Sequence, residues 1–195
     1  MLDSIKYNLS HLASFSGRDA RQTFWYYILF LVALRLVISM AVSVPMVISM
    51  MQRAFVQAQA GVDEDAMLTA MMQDMGGWMA MSVWVGVAVQ LVTLALAAAA
   101  FVRRLHDSGR SGWWCALAIA SGLAGAAVSI SMIGQVQAMF AMSAADPIAF
   151  QQAAMEQRSN PLALLGWIGP IVVIVFGAMK STDGPNRYGD APVRF

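Results

Sequence analysis

The sequence predicts an all-α membrane protein with four transmembrane helices, both termini in the cytoplasm, and short amphipathic helices at the N-terminus and in the outward loops. Three observations carry that expectation. Four apolar runs, at about 24–50, 78–102, 113–133 and 161–179, lie near or above the roughly 20 residues that a bilayer requires. Only 12% of the 195 residues are charged and 59% are hydrophobic, whereas soluble proteins average about 25% charged. Nine of the twelve basic residues fall at the N-terminus, between the second and third runs, and in the tail.

Residues 1–14 place Leu2, Ile5, Leu9 and Leu12 at helical spacing among polar residues, the pattern of a short helix lying on a membrane surface. Ser16 followed by Asp19 resembles a capping box, so a helix is expected to start near Gly17 and to meet the bilayer at the aromatic belt Phe24-Trp25-Tyr26-Tyr27. The run that follows is too long for a cleaved signal core and is expected to stay as an anchor. It must tilt, kink near Pro45 or project beyond the membrane. Arg35 falls roughly 15 Å along it from Trp25, near the midplane, where a charge normally faces protein or water.

Residues 52–77 are polar and acidic, and Asp63 is expected to cap a short loop helix with Met67, Leu68, Met71, Met72 and Met75 on one face. The second span carries Gln90 and Thr93 at mid-depth and ends at VRRLHDSGRSGWW, Val102 to Trp114. That stretch is too short and too charged to lie in a bilayer, so it reads as a tight polar connection, with Gly109 stopping the helix. In the third span Ala118, Gly122 and Ala126 recur every four residues beside Ser121, Gly125 and Ser129, which lets another helix approach closely. Asp146-Pro147 reads as the cap and first turn of a surface helix reaching Arg158. Gly169-Pro170 is expected to kink the fourth span, and the turn-rich tail after Lys180 is not expected to be helical.

Lys6, Arg18, Arg21, Arg103, Arg104, Arg110, Lys180, Arg187 and Arg194 share one side in this arrangement, while only Arg53 and Arg158 lie in the longer loops. The positive-inside rule therefore puts both termini and the central connection in the cytoplasm, within a single integral membrane domain over 1–195.

Three patches meet on that side: FSGRDARQTFWYY (Phe15 to Tyr27), RRLHDSGRSGWW (Arg103 to Trp114) and GPNRYGDAP (Gly184 to Pro192). In this order, flanking apolar spans, they resemble the small bacterial inner-membrane proteins grouped as domain of unknown function 805. The resemblance rests on the patches and adjoining spans and implies an integral, mostly four-span protein without established activity.

Ser-Gly-Arg occurs twice, at Ser16 to Arg18 and Ser108 to Arg110, each time before aromatics where a helix is expected to begin. Helix N-termini and arginines on one face suit anion binding, with lipid headgroup phosphates as natural ligands. The candidate lipid- or partner-binding residues are Arg18, Arg21, Arg103, Arg104, His106, Asp107, Arg110, Trp113, Trp114, Arg187 and Tyr188. The competing reading is that these residues anchor topology and pair with Asp19, Asp107 and Asp183. The tail is expected to pack Arg187 or Tyr188 against the connection through Asp107, with Trp113 and Trp114 covering it.

No enzyme is expected. His106-Asp107-Ser108 has the letters of a hydrolase triad, but adjacent residues cannot adopt a geometry in which the base bridges the other two. His11, His106 and Asp107 lack metal-ligand spacing, the single Cys115 cannot form a thiolate site, and no cofactor motif is present. The methionines could hold Cu(I), but more commonly serve as pliable packing. Membrane lipids are the expected partners, with a protein partner or a second copy as further options and no nucleic acid. The alternative function is a small transporter or channel with Arg35 and Gln90 lining its path.

Overall fold

The computed structural model describes residues 1–142, 147–158 and 161–192. Among these residues it is helical throughout, with no strand beyond a single bridge between Asn186 and Gly189 in the tail. The helices are α1 (Leu2–Ser10), α2 (Arg21–Gln59), α3 (Glu64–Asp107), α4 (Trp113–Ser131), α5 (Ile133–Met142), α6 (Pro147–Arg158) and α7 (Leu165–Ala178), with a 3-10 turn at Pro161–Leu164 directly before α7. Three helical runs, Arg21–Gln59, Glu64–Asp107 and Trp113–Phe140, are long and apolar enough to cross a membrane.

Several boundaries differ from those expected. The first long apolar helix begins at Arg21 rather than near Gly17, because Gly17 is left-handed (φ 91°) and Asp19 is turned toward Arg103 instead of capping. It continues past its apolar run to Gln59, with Pro45 accommodated inside it. The second begins at Glu64, so the expected loop helix is its first turns and only residues 60–63 separate the two. The third is followed after Met132 by α5, so helix again replaces loop. Hydrogen bonding continues wherever propensity allows, whether or not the residues are apolar, and Ala, Met and Gln dominate these extensions. α6 starts at Pro147 and ends at Arg158, while its expected cap, Asp146, lies outside the described residues. The fourth apolar run is shorter as α-helix than expected, since the 3-10 turn takes its first residues and α7 has 14.

The chain divides into two compact units. Met1–Leu36, Val89–Ala126 and Leu164–Phe195 form one. Its core is Phe24, Tyr27, Leu31, Ala100, Phe101, Leu105, Cys115 and Ala118. The small residues of α4 pack internally, Ala118, Ser121 and Gly125 against α7 and Gly122 against Leu94 of α3. Ser121 Oγ donates to the carbonyl of Leu165 at 2.5 Å and accepts the Gly169 amide at 2.8 Å, which gives the residue before Pro170 a partner across the helix pair. At the other end of α7, a Cβ on Gly177 would lie 2.7 Å from Phe24 Cε1, so only glycine admits the Phe24 ring there. The exterior of this unit is apolar, with Leu29, Leu36, Leu123, Ile171 and Ile174 exposed, while its largest fully buried side chains are Arg103 and Arg104. A protein surrounded by water would reverse that distribution.

The second unit comprises Val37–Ala88 and Ala127–Ala163. Within it Arg53 and Asp74 form an exposed ion pair at 2.7 Å, bridging the end of α2 and the start of α3, and Phe140 meets Phe150 with ring centroids 5.9 Å apart.

Candidate functional site

The end of α3 organises the first unit. Gly109 is left-handed (φ 72°), the Gly109 amide returns to the His106 carbonyl at 3.0 Å and the Arg110 amide to Leu105 at 2.8 Å. This is the paired closure of a Schellman motif, which requires a residue free of Cβ strain at that position. Carbonyls of the last turns of α3 also accept donors from distant segments. The Asp19 amide donates to Arg103 O at 3.1 Å, the Thr182 amide to Asp107 O at 2.9 Å, and Asn186 Nδ2 to His106 O at 3.0 Å.

Three buried arginines extend these links. Arg103 serves the N-terminal segment: Nε donates to Asp19 Oδ1 at 3.0 Å, Nη1 to the carbonyls of His11 (2.9 Å) and Ser14 (2.6 Å), and Nη2 to Asn8 Oδ1 at 2.7 Å. Burial pushes the Asp19 carboxyl above its ordinary range, while the hydrogen bond and charge of Arg103 pull it back. Arg18 serves the tail. Its Nε and Nη2 converge on Asp107 Oδ1 at 3.2 and 3.0 Å, and its remaining donors reach the carbonyls of Thr182, Gly184 and Gly189. Arg104 serves the end of α7. It donates to the Gly177 and Met179 carbonyls, where a cation suits the helix dipole, and pairs with Asp107 Oδ2, which also accepts Ser181 Oγ at 2.5 Å.

Asp107 is thus shared by Arg18 and Arg104, not by Arg187 as the sequence suggested. Arg187 is exposed and lies over the ring of Tyr188, 4.7 Å from its centroid. Tyr188 does pack on the connection, stacked flat against His106 with centroids 3.9 Å apart and planes 6° from parallel. Trp113 does not cover the site, being 82% exposed, whereas Trp114 leans on Phe176 at 4.8 Å. Arg21 and Arg110 are exposed and form no ion pair with any described residue. A groove of about 270 Å³ at the start of α2 is lined by Ala20, Arg21, Gln22, Lys180, Ser181 and Asp183.

Asn8, Ser181, Thr182 and Asn186 belong to this network but were not among the residues singled out from sequence. Each is a common polar residue, and the bonds that tie it to Arg103 or to the end of α3 span at least 74 positions, so no local pattern marks them. His106, Asp107 and Ser108 each serve a different contact, with Ser108 Oγ returning to Leu105 O. Among the described residues no group of three or more His, Cys, Asp or Glu is placed to hold a metal ion. Arg35 is exposed on α2, and Gln90 donates to Gly122 O at 2.8 Å, so none of the hydrogen bonds or ion pairs among the described residues joins the two.

The first two patches, and the third through Asp190, lie within residues 12–190, which match the family described as Protein of unknown function (DUF805). The chain belongs to the DUF805 family. In this DUF805 protein the matched range runs from the residues just after α1 to the tail and so spans α5 and α6 as well as α2, α3, α4 and α7. No curated protein and no solved structure matches the chain.

Proposed function

We propose that this DUF805 protein is a non-enzymatic, multi-pass protein of the bacterial inner membrane whose cytoplasmic basic face engages anionic lipid headgroups. The supporting observation is the division of its arginines. Arg18, Arg103 and Arg104 are buried and spend their donors inside the protein, while Arg21, Arg110 and Arg187 stand exposed at the same end of the first unit. Forked cations without internal carboxylate partners suit phosphate oxygens. Crossings by α2, α3, the α4–α5 run and the Pro161–Ala178 segment, with both termini inside, agree with the charge distribution.

The test is lipid retention after purification, followed by native mass spectrometry in mixed phosphatidylglycerol and phosphatidylethanolamine. Wild type should retain phosphatidylglycerol preferentially, and the combined Arg21→Gln, Arg110→Gln and Arg187→Gln variant should lose that preference without loss of thermal stability. Equal retention by the two proteins would overturn the reading. A protein partner lost from the variant, with lipid preference unchanged, would replace lipid by protein as the ligand of this face.

A further inference from the structure

α1 is mounted inside out. Ser4 and Asn8, at 0% and 1% exposure, face the protein, while Met1, Leu2 and Leu9 are 59%, 67% and 43% exposed. Phe15, in the segment that follows, is 51% exposed. The polar side is held firmly: Asn8 Oδ1 accepts Arg103 Nη2 at 2.7 Å, and the carbonyls of His11 and Ser14 accept Arg103 Nη1. Only Leu12 at the end of this segment packs against the apolar core.

From this arrangement we infer that the exposed edge of α1, Leu2 and Leu9, together with Phe15 after it, is seated in the headgroup and acyl boundary of the bilayer, with Lys6 beside it facing lipid phosphate. The inference rests on the membrane reading above. The occupant follows from three observations. Arg103 closes the last turn of α3, one of the membrane-length helices, and also binds Asp19 two residues before α2, so α1 is tied to the level where two such helices end. Lys6 is exposed and lies four residues from Leu2 and three from Leu9, on the helix surface they share, which places a cation along the apolar edge. A second copy of the chain is a poor occupant, since nine residues make a helix of about 14 Å, too small for the roughly 800 Å² per partner of a stable interface.

An environment-sensitive fluorophore on Leu9→Cys, and separately on Leu2→Cys, in a Cys115→Ser background reconstituted into phosphatidylcholine vesicles, tests the placement. Both labels should be quenched by lipids spin-labelled near the headgroup and protected from aqueous iodide, whereas a label on Asp3→Cys should be open to iodide. Iodide quenching of the Leu2 and Leu9 labels equal to that at Asp3 would overturn the inference. Self-quenching that disappears on dilution with unlabelled protein would overturn it in favour of contact between copies. Phosphatidylcholine carries no net charge, so this result is independent of the anionic preference expected of Arg21, Arg110 and Arg187.

Discussion

Arg18 and Asp107, 89 residues apart, are joined by two hydrogen bonds to a single carboxylate oxygen, at 3.0 and 3.2 Å, with both side chains almost completely buried. The other oxygen of Asp107 holds Arg104 and Ser181, so one carboxylate fixes the segment before α2, the end of α3 and the tail.

Asp107→Asn should therefore be severely destabilising. It leaves two buried guanidinium groups without their counter-charge, a loss of about 3–5 kcal/mol for breaking a buried pair from one side. Thermal unfolding followed by a thiol-reactive dye, which reports exposure of the buried Cys115, should show a large drop in midpoint. Limited proteolysis should also cut at Arg187 sooner.

Arg103→Lys keeps the charge but cannot reproduce a fork that reaches Asp19, Asn8 and two carbonyls at once. The expected cost is on the order of 3 kcal/mol, from charge-assisted bonds lost in a buried site. Its signature is selective: trypsin should cleave at Lys6 faster than in wild type, while a substitution at exposed Arg21 leaves that rate unchanged.

Gly177→Ala introduces a methyl 2.7 Å from the Phe24 ring and 3.0 Å from Trp25, and should destabilise by about 1–3 kcal/mol through overpacking. Reducing the opposing ring with Phe24→Leu should recover part of the loss. If Gly177→Ala unfolds at the wild-type midpoint, the close approach of α7 to α2 is wrong.

Gly109→Ala must hold a side chain at φ 72°, with Thr182 Cγ2 3.3 Å away, and should cost about 1–2 kcal/mol. Gly109→Asn should be milder, because asparagine tolerates the left-handed region. The order Gly, Asn, Ala in unfolding midpoint checks the Schellman closure.

Topology reporters should give cytoplasmic signal at Ser14, Gly109 and the C-terminus and outside signal at Gly61. An outside C-terminus would leave α7 short of a crossing and remove the four-span arrangement.

The sequence by itself determined which runs are apolar, where α3 stops, where α6 begins, and that small residues on α4 meet another helix. These depend on interactions within a few residues or on burial averaged over a run, and both leave a local pattern. Helix continuation through residues 52–59, and the joining of the expected loop helix after Asp63 to the second span as one α3, were not legible, because hydropathy reports the surroundings of a segment rather than its backbone hydrogen bonds. Nor was the division between Arg103 and Arg110, two arginines in one motif, of which the first is 1% exposed and the second open to solvent. Only the tertiary structure decided that, because a guanidinium is buried when carbonyls and carboxylates from distant segments converge on it. For Arg103 those acceptors come from Asn8, His11, Ser14 and Asp19, whose approach to the last turn of α3 is a property of the folded chain.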